Sequence, residues 1–264
     1  MIELKSEQER AQMRAAGQVV AEVLQILKAA VAPGLPTMEL DRLADAEIKN
    51  RGALSVFRGY QAYEGQPPYP ATVCVSVNEQ VVHGIPGSRR LKEGDLVSLD
   101  LGARVSGFVG DAALSVFVGQ PPDERAVELL AVTAASLDAG IAAVRIGGHV
   151  GDIGAAVQEV VEQAGFAVIR DFVGHGVGRS MHEDPQVPNY GTRGLGPRIR
   201  PGMALAIEPM VAEGGYAVRV LPDGWTAVTR DGSRACHFEH TLFVGEEGVE
   251  VLTRLSEERV HEVQ

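Results

Sequence analysis

The stretch Val97–Val116, reading VSLDLGARVSGFVGDAALSV, constrains the fold more than any other part of the chain. Two apolar arms flank a glycine-containing turn near Arg104–Gly107, the pattern of a β-hairpin with a short loop. Each arm carries one aspartate, Asp100 and Asp111. Closure between Val105 and Ser106 sets the two carboxylates directly opposite one another, roughly 4.5–5.5 Å apart at Cβ. Like charges so placed destabilise a sheet, and buried carboxylates persist only when paired or bound to a metal. A cation between them resolves both problems. A solvated outer face or a displaced turn resolves them equally well.

Around the hairpin the chain alternates helices and strands. Ser6-Glu7-Gln8-Glu9 has capping-box spacing, and Met13, Val20, Val23, Leu24 and Leu27 recur at helical intervals until Pro33-Gly34 stops them. Thr37 is placed to cap a second helix that runs to about Arg51 and closes at Gly52. Val73, Val75 and Val77 alternate as a strand, and His83 stands at a strand end before Gly84-Ile85-Pro86. Pro121-Pro122-Asp123 opens a third helix, to about Val144. A fourth runs from about Asp152 to Ala164, with Gly165 as its stop. Glu208-Pro209-Met210 ends a strand, and Cys236 to Val244 reads as one more.

The chain also repeats itself. Gly34, Leu40, Ala44, Ile48 and Gly52 recur 113 residues later as Gly147, Ile153, Val157, Val161 and Gly165. Leu91, Gly94, Leu96, Val97, Leu99 and Asp100 recur 108 residues later as Ile199, Gly202, Ala204, Leu205, Ile207 and Glu208. Two similar helices can match by chance. The second set weighs more, because each copy ends an apolar strand in a carboxylate. The reading is one domain, 1–264, of two pseudo-equivalent α/β halves, about 10–120 and 121–252, which contribute acids to a shared cleft.

A net charge of −11 without a basic cluster argues against nucleic-acid binding and against an anionic membrane surface. No apolar run approaches the roughly 20 residues that span a bilayer, and the polar N-terminus is unlike a signal peptide. A cytoplasmic protein is expected, with Cys74 and Cys236 as reduced thiols.

Asp100, Asp111, His175, Glu208 and Glu239 all fall at or near strands in apolar, glycine-rich surroundings. Singly, each reads as a solvated acid or a structural histidine. Together they form a hard, mostly oxygen ligand set suited to Mn²⁺, Fe²⁺, Co²⁺ or Zn²⁺. Four carboxylates overcharge one divalent ion and balance two.

The residues around these positions carry a resemblance. They include Tyr69-Pro70 through Cys74, Asn78-Glu79 to His83-Gly84-Ile85-Pro86, Gly94-Asp95 to Asp100, and Gly110-Asp111. Further on they include Gly174-His175-Gly176-Val177-Gly178, His182-Glu183-Asp184-Pro185, Pro201-Gly202-Met203 to Glu208-Pro209-Met210, Asp223-Gly224-Trp225 and Glu239-His240-Thr241. From roughly Ser6 to Leu252 the chain resembles the type I methionine aminopeptidases of the short bacterial kind. The resemblance implies an α+β "pita-bread" fold, two pseudo-symmetric halves around a central dinuclear metal site. It implies that Asp111 and Glu239 bridge two divalent ions (Co, Mn, Fe or Zn), that Asp100 completes one, and that His175 and Glu208 complete the other.

The implied reaction removes the initiator methionine from nascent polypeptides, at the ribosome, when the second residue is small. A hydroxide held between the metals attacks the scissile carbonyl. Glu208 shuttles the proton, His182 hydrogen-bonds the substrate amide or carbonyl, and His83 the leaving nitrogen. Tyr69, Cys74, His83, Met181, His182 and Trp225 would contact the substrate, and the family suggests a monomer. Three departures stand out. Met181 replaces a common Phe, His237 replaces a common Gln, and a tyrosine often seen before Tyr69 is missing from the Gln66–Pro68 region. The rivals are a prolidase or aminopeptidase P, which usually carries an extra N-terminal domain, a binding module that has lost catalysis, and a two-metal phosphoesterase, which needs a basic clamp.

Overall fold

The computed structural model describes residues 1–255; the last part of the expected 1–264 span, 256–264, lies outside the described residues. The chain begins with α1 (Glu7–Ala30), α2 (Thr37–Asn50), β1 (Leu54–Ser55), β2 (Cys74–Val77), β3 (Gln80–Val82), β4 (Leu96–Val105) and β5 (Phe108–Phe117). It continues with α3 (Glu124–Ala143), α4 (Val150–Gln163), β6 (Ala167–Val168), β7 (Gly174–Gly176), β8 (Glu183–Val187) and β9 (Ala204–Ile207). Then come β10 (Met210–Ala212), β11 (Val218–Val220), β12 (Ala227–Thr229), β13 (Ala235–His237), β14 (His240–Val244) and β15 (Val249–Val251).

Helix α1 starts where its capping box predicts. The Glu9 N–H donates to Ser6 Oγ at 3.3 Å, and the Ser6 N–H donates to Glu9 Oε2 at 2.7 Å. At α2 the expected cap is corrected: Pro36 occupies the cap position and Thr37 is the first helical residue. The Thr37 hydroxyl accepts from the Gly87 N–H at 2.8 Å instead, tying the helix to the strand-joining loop. Helix α3 is long and apolar enough to cross a membrane by length and composition, contrary to the expectation that no apolar run reaches that length. Its Leu129, Thr133 and Leu137 are buried, and it packs against α4.

The hairpin forms, but with a different register. Asp100 pairs with Ala113, and Asp111 pairs with Gly102. The two aspartates are diagonal neighbours on one face, a relationship of roughly 7–8 Å, rather than a directly opposed pair. The turn is responsible. A two-residue hairpin loop of this type needs positive φ at both positions; Val105 is β-branched and resists it, whereas Ser106 and Gly107 adopt φ of 50° and 86°.

In one sheet β4 lies between β1 and β2 and also pairs with β5; a five-stranded sheet runs β15-β14-β9-β7-β8. Small sheets β13-β10-β6 and β11-β12-β3 join them. The run from Cys236 to Val244, expected as one strand, is two: β13 pairs with β10, and β14 pairs with β9. The opposing strand is itself broken at Glu208-Pro209, where proline has no N–H for the ladder.

Matched backbone contacts recur along the chain. The Gly34 N–H donates to Leu91 O at 2.7 Å, and the Gly147 N–H donates to Ile199 O at 2.9 Å. The two glycines have φ of 85° and 84°. Val20, Leu24 and Leu40 of the first two helices pack on Val75, Leu99 and Leu101. Leu137 and Ile153 of the next two pack on Leu205, Ile207 and Leu242. Each sheet therefore turns one face to its helices, and strand alternation leaves the other face free for Asp100, Asp111, His175, Glu208 and Glu239.

Candidate metal centre and apolar pocket

The five inner-face residues line one cleft, with about 730 Å³ of empty space including its open mouth. Ligand atoms of Asp111, His175 and Glu239 all lie within 4.8 Å of one another. Glu208 Oε1 is 3.5 Å from His175 Nε2. Asp100 enters from β4, directly across from Cys74 of β2. Opposite Asp111 stands Gly102, where an added Cβ would lie 3.2 Å from the Asp111 carboxylate and 2.6 Å from Val56.

This cluster is electrostatically incomplete as a set of side chains. Asp100 Oδ1, Asp111 Oδ1 and Glu239 Oε1 are buried without a hydrogen-bond partner among the described residues. Burial, and then the neighbouring carboxylates, hold Asp100, Glu208 and Glu239 well above the usual carboxylate range. Burial pushes Asp111 up to about 7. Such a cluster either keeps protons or takes up cations. His175 is prepared for the second course: its Nδ1 donates to Gly176 O at 2.9 Å, leaving the Nε2 lone pair free. Burial, and then His182, lowers the His175 pKa to about 3, which keeps the ring neutral. The donor set fits divalent metal.

Beside the acids lies an apolar recess built by Phe57, Tyr69, Cys74, Met181 and Trp225. Tyr69 and Trp225 meet edge to face at 5.2 Å, and the Trp225 indole N–H donates to Pro67 O at 2.7 Å. His83 sits over this recess, 5.9 Å from Trp225 and 5.4 Å from Phe172. Its φ of 60° is unusual for a non-glycine residue. Gly84 permits the turn, since a Cβ there would lie 2.4 Å from Val75 O. Met181 and His182 close the side nearest the acids, with the His182 ring 4.3 Å from that of His175.

The expected site residues Tyr69, Cys74, His83, Asp100, Asp111, His175, Met181, His182, Glu208, Trp225 and Glu239 all line this cleft. Phe57, Tyr60, Val82, Phe172 and Val173 line it as well and were missed. Tyr60 corrects the expectation of a missing pocket tyrosine. The Tyr69 N–H donates to Tyr60 O at 2.8 Å, so the intervening loop folds out and brings the two tyrosines together. His237 is buried, with its Nε2 3.9 Å from Glu208 Oε2. The two thiols lie in different clusters, Cys74 in the recess and Cys236 among Leu129, Val157 and Val211.

The model of metallopeptidase family M24 matches residues 11–246. Methionine aminopeptidase 1 of Bacillus subtilis is 47% identical over 97% of this chain and 100% of its own length. The crystal structure of a methionine aminopeptidase from Thermotoga maritima is 47% identical, with a TM-score of 0.92, covering 97% of this chain and all of that one. A prolidase from Pyrococcus furiosus shares the fold, with a TM-score of 0.74 at 20% identity; the match covers 96% of this chain and 66% of the prolidase. A family match over most of the chain, on a fold whose inner faces bring four carboxylates and one imidazole into a single cleft, makes this protein a member of metallopeptidase family M24.

Proposed function

We propose that the chain is a methionine aminopeptidase, which removes the N-terminal methionine of new polypeptides when the second residue is small. The observation that carries this reading is the adjacency of the acid cluster and the apolar aromatic recess within one cleft. A free amino terminus and an apolar first side chain can enter such a cleft together. It acts on nascent chains at the ribosome, in the cytoplasm, as a monomer of one catalytic domain with halves near 10–120 and 121–252.

Two divalent ions, drawn from Co, Mn, Fe and Zn, would be held by Asp111 and Glu239 in common, Asp100 on one side, and His175 with Glu208 on the other. When bound, they supply Lewis acidity toward the scissile carbonyl and acidify water. The chain's own residues do the rest. Glu208 accepts a proton from the attacking water and returns it to the departing amine. His83, neutral because burial, and then His182, lowers its pKa to about 4, hydrogen-bonds the leaving nitrogen. His182 hydrogen-bonds the scissile carbonyl. Tyr69, Cys74, Met181 and Trp225 exclude water from the methionine side chain.

The deciding experiment is hydrolysis of Met-Ala-Ser, Met-Leu-Ser and Leu-Ala-Ser by chelator-stripped protein before and after addition of Mn²⁺ or Co²⁺. Metal-dependent release from Met-Ala-Ser alone supports the reading. Release from Leu-Ala-Ser moves the enzyme away from methionine. No release from folded, metal-loaded protein overturns the peptidase function.

A further inference from the structure

We infer that Tyr60 is a positioning residue for His182: its hydroxyl fixes which nitrogen of the imidazole carries the proton offered to the substrate. This inference rests on the role of His182 proposed above. The Tyr60 hydroxyl lies 2.7 Å from His182 Nδ1. The rings are 5.3 Å apart at their centroids, and Tyr60 also leans on Trp225 at 6.4 Å. Its backbone is held at both ends, since its N–H donates to Phe57 O at 2.9 Å and its carbonyl accepts from the Tyr69 N–H at 2.8 Å. The hydroxyl is thus delivered by a fixed stretch of chain.

The direction of the bond follows from acidity. A phenol, with an ordinary pKa near 10, is a far stronger acid than a neutral imidazole N–H. Tyr60 therefore donates and Nδ1 accepts. A neutral imidazole carries one proton, so with Nδ1 accepting, that proton resides on Nε2. Nε2 is the nitrogen left to face the cleft that His182 lines. The result is a hydrogen-bond donor, which is what a carbonyl oxygen gaining charge requires. In the other tautomer Nε2 would be an acceptor and would repel that oxygen. Since Tyr60 also forms part of the methionine recess, the wall that receives the side chain and the group that holds His182 are one residue.

The test uses metal-loaded enzyme and Met-Ala-Ser. Tyr60→Phe keeps the ring, and with it the recess, and removes only the hydroxyl. The expected result is a fall in kcat of about tenfold, the effect of one hydrogen bond expressed in the transition state, with KM changed less than about twofold. In a His182→Ala background the same substitution should change kcat by less than about twofold, because there is nothing left to position. In zinc-loaded protein, the ¹⁵N shifts of the His182 ring should report a single Nε2–H tautomer, lost in Tyr60→Phe. An Nδ1–H tautomer in the wild type, or an equal kcat loss in both backgrounds, overturns the inference. A slow His182→Ala beside a normal Tyr60→Phe overturns it alone. Normal turnover by His182→Ala removes the proposed role of His182 and this inference with it.

Discussion

Glu239 and Ala113 clasp each other through their backbones: the Glu239 N–H donates to Ala113 O at 2.9 Å, and the Ala113 N–H donates to Glu239 O at 3.3 Å. This single bridge joins β5 to the segment between β13 and β14. It fixes Asp111, two residues from Ala113, against Glu239. The Thr241 hydroxyl reinforces it by donating to Asp111 O at 2.7 Å and accepting from the Asp111 N–H at 3.1 Å. The two acids are therefore held by main chain, and their side chains can be altered without loss of the scaffold.

Asp111→Asn should accordingly fold and yet lose both metal and turnover. The substitution keeps shape and removes one charge from a cluster that needs cations. The stripped variant should melt above the stripped wild type, because a buried like-charge repulsion with Asp100 is gone. Metal analysis, peptide turnover and calorimetry on one preparation decide it; near-wild-type turnover of the loaded variant would refute a role for Asp111 in the metal centre.

The same cluster predicts a pH dependence for metal-stripped protein. The buried His83, His175, His237 and His240 have lowered pKa values, about 4, 3, 3 and 3, and that of His182 is lowered too, so near pH 6.5 only the unfolded chain binds their protons, and above about pH 7.5 they are neutral in both states. Only the carboxylates then matter. Asp111 titrates near 7 when folded, and burial holds Asp100, Glu208 and Glu239 well above the usual carboxylate range, so the folded chain keeps protons there that the unfolded chain has lost. Stability must fall as pH rises beyond that point. Stripped protein should lose several degrees of Tm between about pH 7.5 and about 9, and added Mn²⁺ should restore more at the higher pH. A flat profile in the stripped protein would count against a repelling acid cluster.

His182→Ala should lower kcat by about 100-fold while metal content stays at the wild-type level. Its ring lies beside that of His175 without belonging to the close ligand group of Asp111, His175 and Glu239. Parallel losses of metal and rate would make it a ligand instead.

Gly110→Ala tests how closely α1 rides on the hairpin. A Cβ at Gly110 would lie 2.6 Å from the Gly17 backbone nitrogen and 2.7 Å from its Cα, and neither can move without shifting the helix. The expected cost is about 1–3 kcal/mol, read as a lower urea midpoint at unchanged slope. An unchanged midpoint would mean that α1 can lift away.

Much of this was legible in the sequence, because the strongest signals are local. The Ser6–Glu9 box and the glycine stops concern residues close together in the chain, and helices start and end there; Asp123, in the segment expected to open α3, accepts from the Ala126 N–H at 2.8 Å. The candidate metal ligands were legible for a related reason: Asp100, Asp111 and Glu208 each interrupt or end an apolar strand. What escaped depended on partners distant in the chain. Thr37 has the chemistry of a cap but serves Gly87, fifty residues away. The break at Phe238-Glu239 is imposed by Pro209 on the opposite strand. Tyr60 reaches the recess only because the loop before Tyr69 folds outward. The turn at Ser106-Gly107 was the exception, since valine's aversion to positive φ was already present in the sequence.

Strand alternation gives the cleft a further property, which is one of parity. Asp100 lies between Leu99 and Leu101, both fully buried under helices, and Asp111 is followed by Ala112 of the same packed layer. Glu208 follows Ile207 in the same way. Inserting one residue in any of these strands would send a leucine into the cleft and a carboxylate into the core. Packing and chemistry share a single reading frame along each strand, so descendants of this chain can lengthen its loops freely while the acids stay in step with the core.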